Sequence, residues 1–255
     1  MHKGVLMGAL QPLHVWPEQA AAAFSALGNA AGLAVIGVAT PRTENRAIAR
    51  QALRTAVQNL LAQFWQCPAQ SIQFSRQPGQ TVALLGAPGH MQISFSHAPG
   101  LSVAALHRHQ KIGVDILRAD SVLEGGVAAH FAPCPPPALR APPLPMQTAL
   151  PPRLLGDDIG LLSDWEQLAH DYLGPAAHLH LKSSHVHTRA RLFAQQWSDL
   201  EAGLKCLGLG LQEWSPEVQS ALDGCYRVPL VLPGALAMEF CGSVALQPLA
   251  HPAAA

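Results

Sequence analysis

The sequence predicts a mixed α+β fold made of two similar halves related by pseudo-twofold symmetry, each half an antiparallel sheet packed against a long helix. The first observation is that residues 44–66 and 190–207 carry apolar side chains every three or four positions, which is typical of amphipathic helices. The second is that short alternating segments accompany each helix, as antiparallel strands do. The third is a proline-rich stretch that separates the two sets of elements.

This proline-rich stretch sets the domain boundaries. Residues 133–152 include the runs Cys-Pro-Pro-Pro and Leu-Pro-Pro, which fit neither a helix interior nor a sheet and are typical of a polyproline or disordered insertion. We therefore assign residues 1–117 to an N-terminal half, 118–162 to a linker and 163–255 to a C-terminal half. A recognition role for the prolines is the alternative to a plain linker.

Turn signals and alternation divide the N-terminal half into helices and strands. Gly28 and Asn29 suit the end of a first helix, and Pro78 and Gly79 suit a turn between two strands. We predict helices at 20–27 and 44–66 and strands at 5–16, 33–39, 72–74, 81–85, 92–95, 101–106 and 111–116.

Caps and glycines divide the C-terminal half in the same way. Ser163 and Glu166 fit a capping box at the start of a helix, and Gly208 follows the end of the long one. The similar layout of the two halves predicts an internal pseudo-dimer that needs no partner, and therefore a monomer. We predict helices at 163–173 and 190–207 and a closing hairpin of strands 228–232 and 235–240.

Composition excludes two classes of protein. Only 13% of the 255 residues are charged, against about 25% in typical soluble domains, and 16 basic residues balance 16 acidic ones. A nucleic-acid binder would show a basic excess, so this class is excluded. The hydrophobic content of 49% is ample for a core, which excludes an acidic disordered chain.

Cysteine usage and hydropathy indicate a cytoplasmic protein. The five cysteines include no C-x-x-C pair and are odd in number, which favours reduced thiols over disulfides or a zinc site. The N-terminus has no stretch long enough for a secretory signal. Residues 19–40 lack charge and are long enough to span a bilayer, but their alanines and glycines favour a helix and a buried strand, and no membrane association is expected.

Three short motifs carry residues suited to catalysis. They are Phe95-Ser96-His97, Gly113-Val114-Asp115-Ile116 and the segment 193–211. Asp115 and Glu201 have the chemistry to share a divalent cation, while Lys205, one helical turn beyond Glu201, would meet a phosphate on that cation. Ser96 and His97 would donate to another phosphate oxygen. Each feature alone also fits an ordinary helix salt bridge or turn residue.

A second feature is a basic face on the first long helix. It consists of residues four apart, Arg42, Arg46, Arg50 and Arg54. A solvated helix face is one interpretation. A phosphate-binding edge is the other, because the guanidinium group pairs bidentately with phosphate.

The order of these motifs resembles that of the 4′-phosphopantetheinyl transferases, in the long, single-chain type that serves polyketide and peptide synthetases. The family pattern is an arginine-containing helix followed by G-K-P, F-N-L-S-H-S, G-V-D-I-E and F…W-[ST]-x-K-E-A-x-x-K-x-x-G-x-G-L. The corresponding parts here are the helix around Arg50, Gly79-Gln80-Thr81, and residues 93–98, 113–117 and 193–211. The resemblance covers about residues 42–246, with the proline-rich insertion outside it.

The resemblance implies an activity and a set of roles. Such enzymes move phosphopantetheine from coenzyme A to a serine hydroxyl of an acyl or peptidyl carrier protein and release adenosine 3′,5′-bisphosphate, with Mg²⁺ bridging the pyrophosphate. Asp115 and Glu201 would be metal ligands, Glu201 also the base toward the serine, and Lys205 the contact to the leaving phosphate. The coenzyme A phosphates would be held by Arg50 (or Arg46), Ser96, His97 and Lys205. Trp197 would pack beneath the site.

Several family positions carry a different residue here. Gln80 stands where the family has the lysine of G-K-P, Leu117 where it has the glutamate after G-V-D-I, and Leu200 where a lysine precedes the motif glutamate. A further acidic position falls near Ala176 or Ala177. The alternative to an active transferase is therefore a degenerate relative that binds coenzyme A or a carrier protein without efficient transfer.

A histidine cluster and several cations lie outside these motifs. Four histidines occur within ten residues, at His178, His180, His185 and His187. On a strand each pair would share a face, which would suit zinc, whereas an exposed loop is the plainer interpretation. A carrier protein is acidic, so the better candidates for contacting it are Lys182, Arg189 and Arg191.

Overall fold

The computed structural model describes residues 10–75, 82–119 and 163–248. Within these ranges the helices are α1 (Ala20–Gly28), α2 (Arg46–Trp65), α3 (Ser163–Leu168, continued by a π-helical turn, Ala169–Leu173), α4 (Pro175–Ser183), α5 (Val186–Leu207), α6 (Pro216–Asp223) and α7 (Leu236–Glu239). The strands are β1 (Gln11–Val15), β2 (Leu33–Ala39), β3 (Gln73–Phe74), β4 (Leu84–Leu85), β5 (Gln92–Ala98), β6 (Leu101–His107), β7 (Gln110–Arg118), β8 (Tyr226–Val231) and β9 (Phe240–Pro248).

One seven-stranded sheet runs through both halves of the chain, in the order β5-β6-β2-β1-β8-β9-β7. Neighbouring strands are antiparallel except at β1, which is parallel to β2 on one side and to β8 on the other. The mixed α+β class is thus confirmed. The sequence predicts a separate sheet in each half, and this is wrong. The two halves share one mostly antiparallel sheet, because β1 pairs with β2 on one edge and with β8 on the other.

The two outermost strands of this sheet, β5 and β7, lie side by side, so the sheet curls round on itself. Serine hydroxyls of β5 join them: Ser94 Oγ accepts a hydrogen bond from the Val114 N–H at 3.1 Å, and Ser96 Oγ accepts one from the Ile116 N–H at 3.3 Å. Buried N–H groups need such acceptors. The junction between β5 and β7 therefore brings the F-S-H and G-V-D-I motifs together.

The core is divided between the inside of the curled sheet and its helix-covered outside. Alternate residues of β7, such as Val114 and Ile116, join the inner cluster with side chains from every strand of the large sheet. Helices α1 and α2 pack against the outer side of β2, β5 and β6. Helix α5 packs against β7 and β9. Because side chains alternate along a strand, Gly113 and Asp115 face α5.

One topological unit occurs twice in the chain. A strand, a long helix and a hairpin occur in this order as β2, α2, β5 and β6, and again as β7, α5, β8 and β9, with shorter elements between them. The opening strand of the second unit, β7, lies at the end of the N-terminal half. In both, the second hairpin strand lies between the first hairpin strand and the opening strand. The pseudo-twofold relation between the halves stays a prediction. Strand β7 ends at Arg118, and the proline-rich segment at 133–152 lies outside the described residues.

Two elements of the C-terminal half differ from the sequence prediction. The stretch 235–240 is not a strand, because backbone hydrogen bonds from Leu236, Ala237 and Met238 continue the Pro233-Gly234 turn into α7, and the strand begins only at Phe240. The segment with His178 and His180 is helix α4, which begins directly after Gly174 with Pro175 at its first turn.

A buried histidine fixes the turn between β6 and β7 and makes stability depend on pH. His107 Nδ1 accepts hydrogen bonds from the N–H groups of His109 and Gln110 at 2.9 and 3.0 Å. Burial, with a smaller contribution from His109, lowers the pKa of His107 from 6.5 to about 4. The neutral form is therefore favoured in the folded state. Its contribution to the free energy of unfolding is complete above pH 6.5 and is lost as the pH falls toward 4.

We expect the free energy of unfolding to fall by about 3 kcal/mol more between pH 7 and pH 4 in the wild type than in His107→Asn, whose side-chain oxygen accepts the same bonds without titrating. Urea unfolding at several pH values measures this difference. The exposed His187→Asn is the control and should follow the wild type. Equal pH slopes for wild type and His107→Asn would show that His107 is not the titrating group.

Within the described ranges, no helix combines the length and the apolar character needed to cross a membrane. The uncharged stretch at 19–40 contains α1 and β2, as the sequence analysis expects.

Candidate active site at the junction of β5 and β7

A cavity of about 390 Å³ lies over the junction of β5 and β7, between α2 and α5. Its wall brings together all the site residues expected from the sequence, although they come from four separate segments of the chain. These residues are Arg50, Ser96, His97, Asp115, Glu201 and Lys205. The cavity is therefore the candidate active site.

The centre of this site is an ion-pair cluster. The Lys205 ammonium lies 2.6 Å from Asp115 Oδ1 and 3.8 Å from Glu201 Oε2. The side chains of Asp115 and Glu201 are 9% and 17% exposed, whereas that of Lys205 is 31% exposed and open to the cavity. Both carboxylates thus converge on one cation, which is the lysine itself.

Local packing explains how these three side chains meet. Glu201 and Lys205 are one turn apart on α5 and so share a face. Gly113 lets this face approach β7, because a Cβ atom there would lie 1.9 Å from the Ala202 carbonyl oxygen and 2.5 Å from the Cys206 nitrogen. Asp115 follows two residues later on the same side of β7. The G-V-D-I motif therefore supplies both the close approach and the carboxylate.

Ser96 holds Asp115 in place. Its hydroxyl donates a hydrogen bond to Asp115 Oδ1 at 2.7 Å and accepts one from the Ile116 N–H. The Lys205 ammonium lies 3.4 Å from Ser96 Oγ. His97, next along β5, pairs its Nδ1 with the hydroxyl of the fully buried Ser102 at 2.5 Å. The structure thus gives Ser96 an orienting contact, and phosphate binding by Ser96 and His97 stays a prediction.

The basic face of α2 borders the cavity. Arg46, Arg50 and Arg54 line its wall, whereas Arg42 pairs with Glu239 at 3.1 Å. Burial lowers the pKa of Arg50, and the neighbouring Arg46 and Arg54 lower it further. Three guanidinium groups side by side repel one another and attract an anion into the cavity, which favours the phosphate-binding interpretation of this face.

Electrostatics at the carboxylates are set by burial and by Lys205. Burial raises the pKa of Glu201, and Asp115 raises it further, while Lys205 opposes both. Burial alone would lower the pKa of Lys205, but Asp115 and Glu201 outweigh it and hold that pKa above its ordinary value. The lysine therefore stays charged, and Glu201 has a greater affinity for a proton than an exposed glutamate.

One basic residue of the cavity wall was missed by sequence reasoning. Arg118, the last residue of β7, lines the cavity, bonds to Glu239 at 3.2 Å and lies over the ring of Phe240 at 5.3 Å. Its position directly after the G-V-D-I-L motif was the available signal. Trp197 is fully buried in the cavity wall and stacks on Phe193, which agrees with a packing role.

Two of the positions that differ from the family pattern, Leu117 and Leu200, have apolar surroundings. Leu117 is buried in the cluster around α5, and it borders the cavity without adding a ligand. Leu200 packs with Leu204 and Leu222 on the side of α5 away from this cavity. Ala176 borders a different cavity, and Gln80 lies outside the described residues.

Asp115 and Glu201 are the two carboxylates of this site with the chemistry to hold a divalent cation. Among the described residues, no group of three or more His, Cys, Asp or Glu side chains is placed to hold a metal ion, and this includes the histidines of α4. Mg²⁺ does not require such a cage, because it is usually bound by one or two carboxylates together with waters and substrate phosphates. Asp115 and Glu201 already converge on a cation, so they fit Mg²⁺ accompanied by phosphate.

The three cations proposed for carrier contact are not equally accessible. Lys182 is exposed on α4. The Arg189 guanidinium instead binds the carbonyl oxygens of Leu181 and Ser184, at 3.0 and 2.9 Å, and so ends α4. Arg191 is exposed and reaches the Met238 carbonyl oxygen at 3.5 Å. Lys182 and Arg191 are therefore the more available of the three for a partner.

The site combines an anion-binding wall with a cation-binding pair. Arginines and Lys205 supply positive charge around the cavity, and Asp115 and Glu201 supply two converging carboxylates. Such a site has the chemistry to bind a phosphate-bearing ligand together with a divalent cation. No protein-family model matches the chain, and no curated protein matches it.

Proposed function

We propose that this protein transfers the 4′-phosphopantetheine group from coenzyme A to a serine hydroxyl of an acyl or peptidyl carrier protein and releases adenosine 3′,5′-bisphosphate. The observation that carries this proposal is the single cavity that gathers Arg50, Ser96, His97, Asp115 and the pair on α5. These residues lie far apart in the sequence, and the motif order that resembles the transferases predicts that they act together.

Coenzyme A enters this proposal as the ligand of the basic wall. It carries a pyrophosphate and a separate 3′-phosphate, and the arginines of α2 offer several guanidinium groups along one edge of the cavity. Arg50, or Arg46 beside it, binds one of these phosphates, and His97 donates to another. Lys205 lies at the inner end, where the pyrophosphate meets the carboxylates.

Mg²⁺ fits the two carboxylates of the site and is proposed as the cofactor. Asp115 and Glu201 would hold it, with phosphate oxygens and water completing its coordination. When bound, it offsets the negative charge that develops on the pyrophosphate. Ser96 keeps the Asp115 carboxylate in position through the hydrogen bond to Oδ1.

Glu201 is proposed as the proton acceptor. In the transfer, the serine oxygen of the carrier forms a bond to the phosphorus of the phosphopantetheine group, and the phosphorus–oxygen bond to the adenosine bisphosphate breaks. The serine proton passes to Glu201. The place of this carboxylate on the cavity wall supports the role, because a base must lie within hydrogen-bond reach of the proton that it accepts. Lys205 stabilises the charge on the departing phosphate.

The proposal predicts product formation that depends on the carrier. An apo-carrier protein, coenzyme A and Mg²⁺ are incubated with the enzyme, and adenosine 3′,5′-bisphosphate is measured by chromatography. We expect the amount released to equal the amount of carrier supplied. A carrier whose acceptor serine is replaced by alanine is the control and should release none. Release of adenosine 3′,5′-bisphosphate with the alanine variant of the carrier would contradict the proposal.

Ser96 provides a test of the orienting contact. Ser96→Ala removes the bond to Asp115 and leaves the Ile116 N–H without its acceptor, so we expect a stability loss of about 1–3 kcal/mol. Ser94→Ala is a matched control, since it loses the equivalent bond from Val114 but has no contact with Asp115. We expect kcat to fall about tenfold or more in Ser96→Ala alone. An equal fall of kcat in both variants would show that Ser96 has only a structural role.

A second candidate function is binding of coenzyme A without transfer. Leu117 and Leu200 favour it, because both are buried among apolar residues and supply no charge where the family has glutamate and lysine. Titration of coenzyme A with and without Mg²⁺ separates the two functions. Transfer requires Mg²⁺ to strengthen binding, whereas a binding protein without a metal site shows the same affinity in both titrations.

Cell location and assembly complete the proposal. We propose a cytoplasmic monomer in which the two halves, related by pseudo-twofold symmetry, form the site between them. The shared unit of strand, long helix and hairpin supports that symmetry. The balanced formal charge of the chain supports a protein partner over a nucleic acid.

A further inference from the structure

We infer that Lys205 makes the binding of the divalent cation and of the phosphate ligand interdependent, so that the site binds the cation tightly only when a phosphate-bearing molecule is also bound. The inference rests on the proposed function and adds to it the order in which the site is assembled. It starts from one observation: the Lys205 ammonium itself occupies the point on which the two carboxylates converge.

The contacts of the ammonium show how firmly this point is held. It lies 2.6 Å from Asp115 Oδ1, 3.4 Å from Ser96 Oγ and 3.8 Å from Glu201 Oε2. A divalent cation bound by both carboxylates would lie within a few ångströms of the same position. The two cations would repel each other strongly in a site of low dielectric constant. The cation can therefore enter only if Lys205 moves.

The surroundings decide where Lys205 can go. Its side chain opens to the cavity, whose described wall carries four arginines against only the two carboxylates that the lysine would be leaving. These arginines are Arg46, Arg50, Arg54 and Arg118. An ammonium that turns toward them meets more positive charge. A phosphate group in the cavity changes this, because it supplies an anionic partner for the displaced lysine.

Binding of the phosphate ligand alone is also unfavourable. If it draws Lys205 away in the absence of a divalent cation, Asp115 and Glu201 are left close together with no cation between them and with an anion nearby. Each ligand therefore binds weakly alone, and each removes the obstacle to the other. Thermodynamic linkage requires that the phosphate ligand raises the affinity for the cation by the same factor as the cation raises the affinity for the phosphate ligand.

Calorimetry on wild type and Lys205→Met tests the inference. Mg²⁺ is titrated into the protein alone and into protein with methylenediphosphonate, a pyrophosphate analogue that is not hydrolysed; the separately measured association of Mg²⁺ with the analogue is included in the fit. In the wild type, we expect the analogue to strengthen Mg²⁺ binding at least tenfold. In Lys205→Met, we expect Mg²⁺ alone to bind at least tenfold more tightly than it binds to the wild type.

The control is Lys182→Met, which removes an exposed lysine from α4 and should match the wild type in both titrations. Mg²⁺ affinity that is unchanged or weaker in Lys205→Met would overturn the inference, because it would show that the lysine does not compete with the metal. Thermal unfolding of each variant establishes that the protein compared is folded.

A second measurement follows Lys205 in the protein of wild-type sequence. The chain has only four lysines, Lys3, Lys111, Lys182 and Lys205, so ¹³C-methyl labelling of lysine amines gives few NMR signals to assign. We expect the Lys205 signal to shift when Mg²⁺ and the analogue are added together, and to stay in place with Mg²⁺ alone. A full shift with Mg²⁺ alone would overturn the inference. If Mg²⁺ and the analogue bind cooperatively but no carrier protein is modified, the proposed transfer is contradicted and the inference about Lys205 is not.

Discussion

Replacing Glu201 by glutamine is expected to lower kcat/KM for phosphopantetheine transfer at least 10³-fold. Two losses combine in this variant. The proposed proton acceptor disappears, and general base catalysis typically contributes 10²–10⁴-fold. One of the two carboxylates that converge on the cation position also becomes neutral. Initial rates of adenosine 3′,5′-bisphosphate release at several carrier concentrations measure the effect.

Glu213→Gln is the matched control for this prediction, because Glu213 is exposed. It should retain wild-type activity. A Glu201→Gln variant with more than a tenth of wild-type activity would rule out the assigned role.

The second large effect is expected for Gly113→Ala, which should lower the free energy of unfolding by about 3 kcal/mol or more and the Tm by about 10 °C. The new methyl group would lie 1.9 Å from the Ala202 carbonyl oxygen. The obstructing atoms belong to the backbone of α5, so no side chain can move aside. Helix α5 must shift away from β7, and Glu201 and Lys205 must move away from Asp115 with it.

The control for Gly113 is a glycine just beyond the C-terminal end of α5. Gly210 has no atom within 4 Å of an added Cβ, so Gly210→Ala should leave both Tm and activity close to the wild type. Differential scanning calorimetry measures the two Tm values, and a transfer assay below both transitions measures activity. A Gly113→Ala protein as stable as Gly210→Ala would show that α5 does not press on β7 at this point.

Local sequence patterns predicted the long elements well. Residues 33–39 were expected as a strand and form β2, and the helix expected at 44–66 is α2, which begins at Arg46 because the side chain of Asn45 accepts a hydrogen bond from the Ala47 N–H. These elements have strong periodicity or a standard cap, so local signals suffice. Helix α5 begins four residues earlier than expected, because His185 caps it.

Long-range pairing was beyond these local patterns. The sequence does not show that β1 pairs with both β2 and β8, or that Ser94 and Ser96 reach the backbone of β7. Both features depend on how the sheet curls as a whole. Arg118 was missed for the same reason, because its place on the cavity wall follows from the position of β7.

The candidate site was predictable in composition more than in arrangement. The motif order identified Arg50, Ser96, His97, Asp115 and the pair on α5, which all line one cavity. The ion pair between Glu201 and Lys205 was predictable from their spacing of four residues on a helix, whereas the contacts between the separate segments were not. Lys205 was expected to meet a phosphate and is found on Asp115, because two largely buried carboxylates need a positive charge and this lysine is within reach.

Although the chain has few charged residues, three of them form the centre of this site. Of the four lysines in the sequence, one lies at the centre of the cavity, and of the sixteen acidic residues, two converge on it. The positions that resemble the family but lack its charge, Leu117 and Leu200, are part of the core. The proposed activity therefore depends on the few charged residues of the cavity.

Intact-mass measurement of candidate carrier proteins tests the central claim most directly. Carriers from acyl, polyketide and peptide synthetases are incubated with the protein, coenzyme A and Mg²⁺, beside a parallel incubation with Glu201→Gln. The proposed function predicts that at least one carrier gains one phosphopantetheine group at its acceptor serine with the wild type and none with the variant. No gain on any carrier, native partners included, would contradict it.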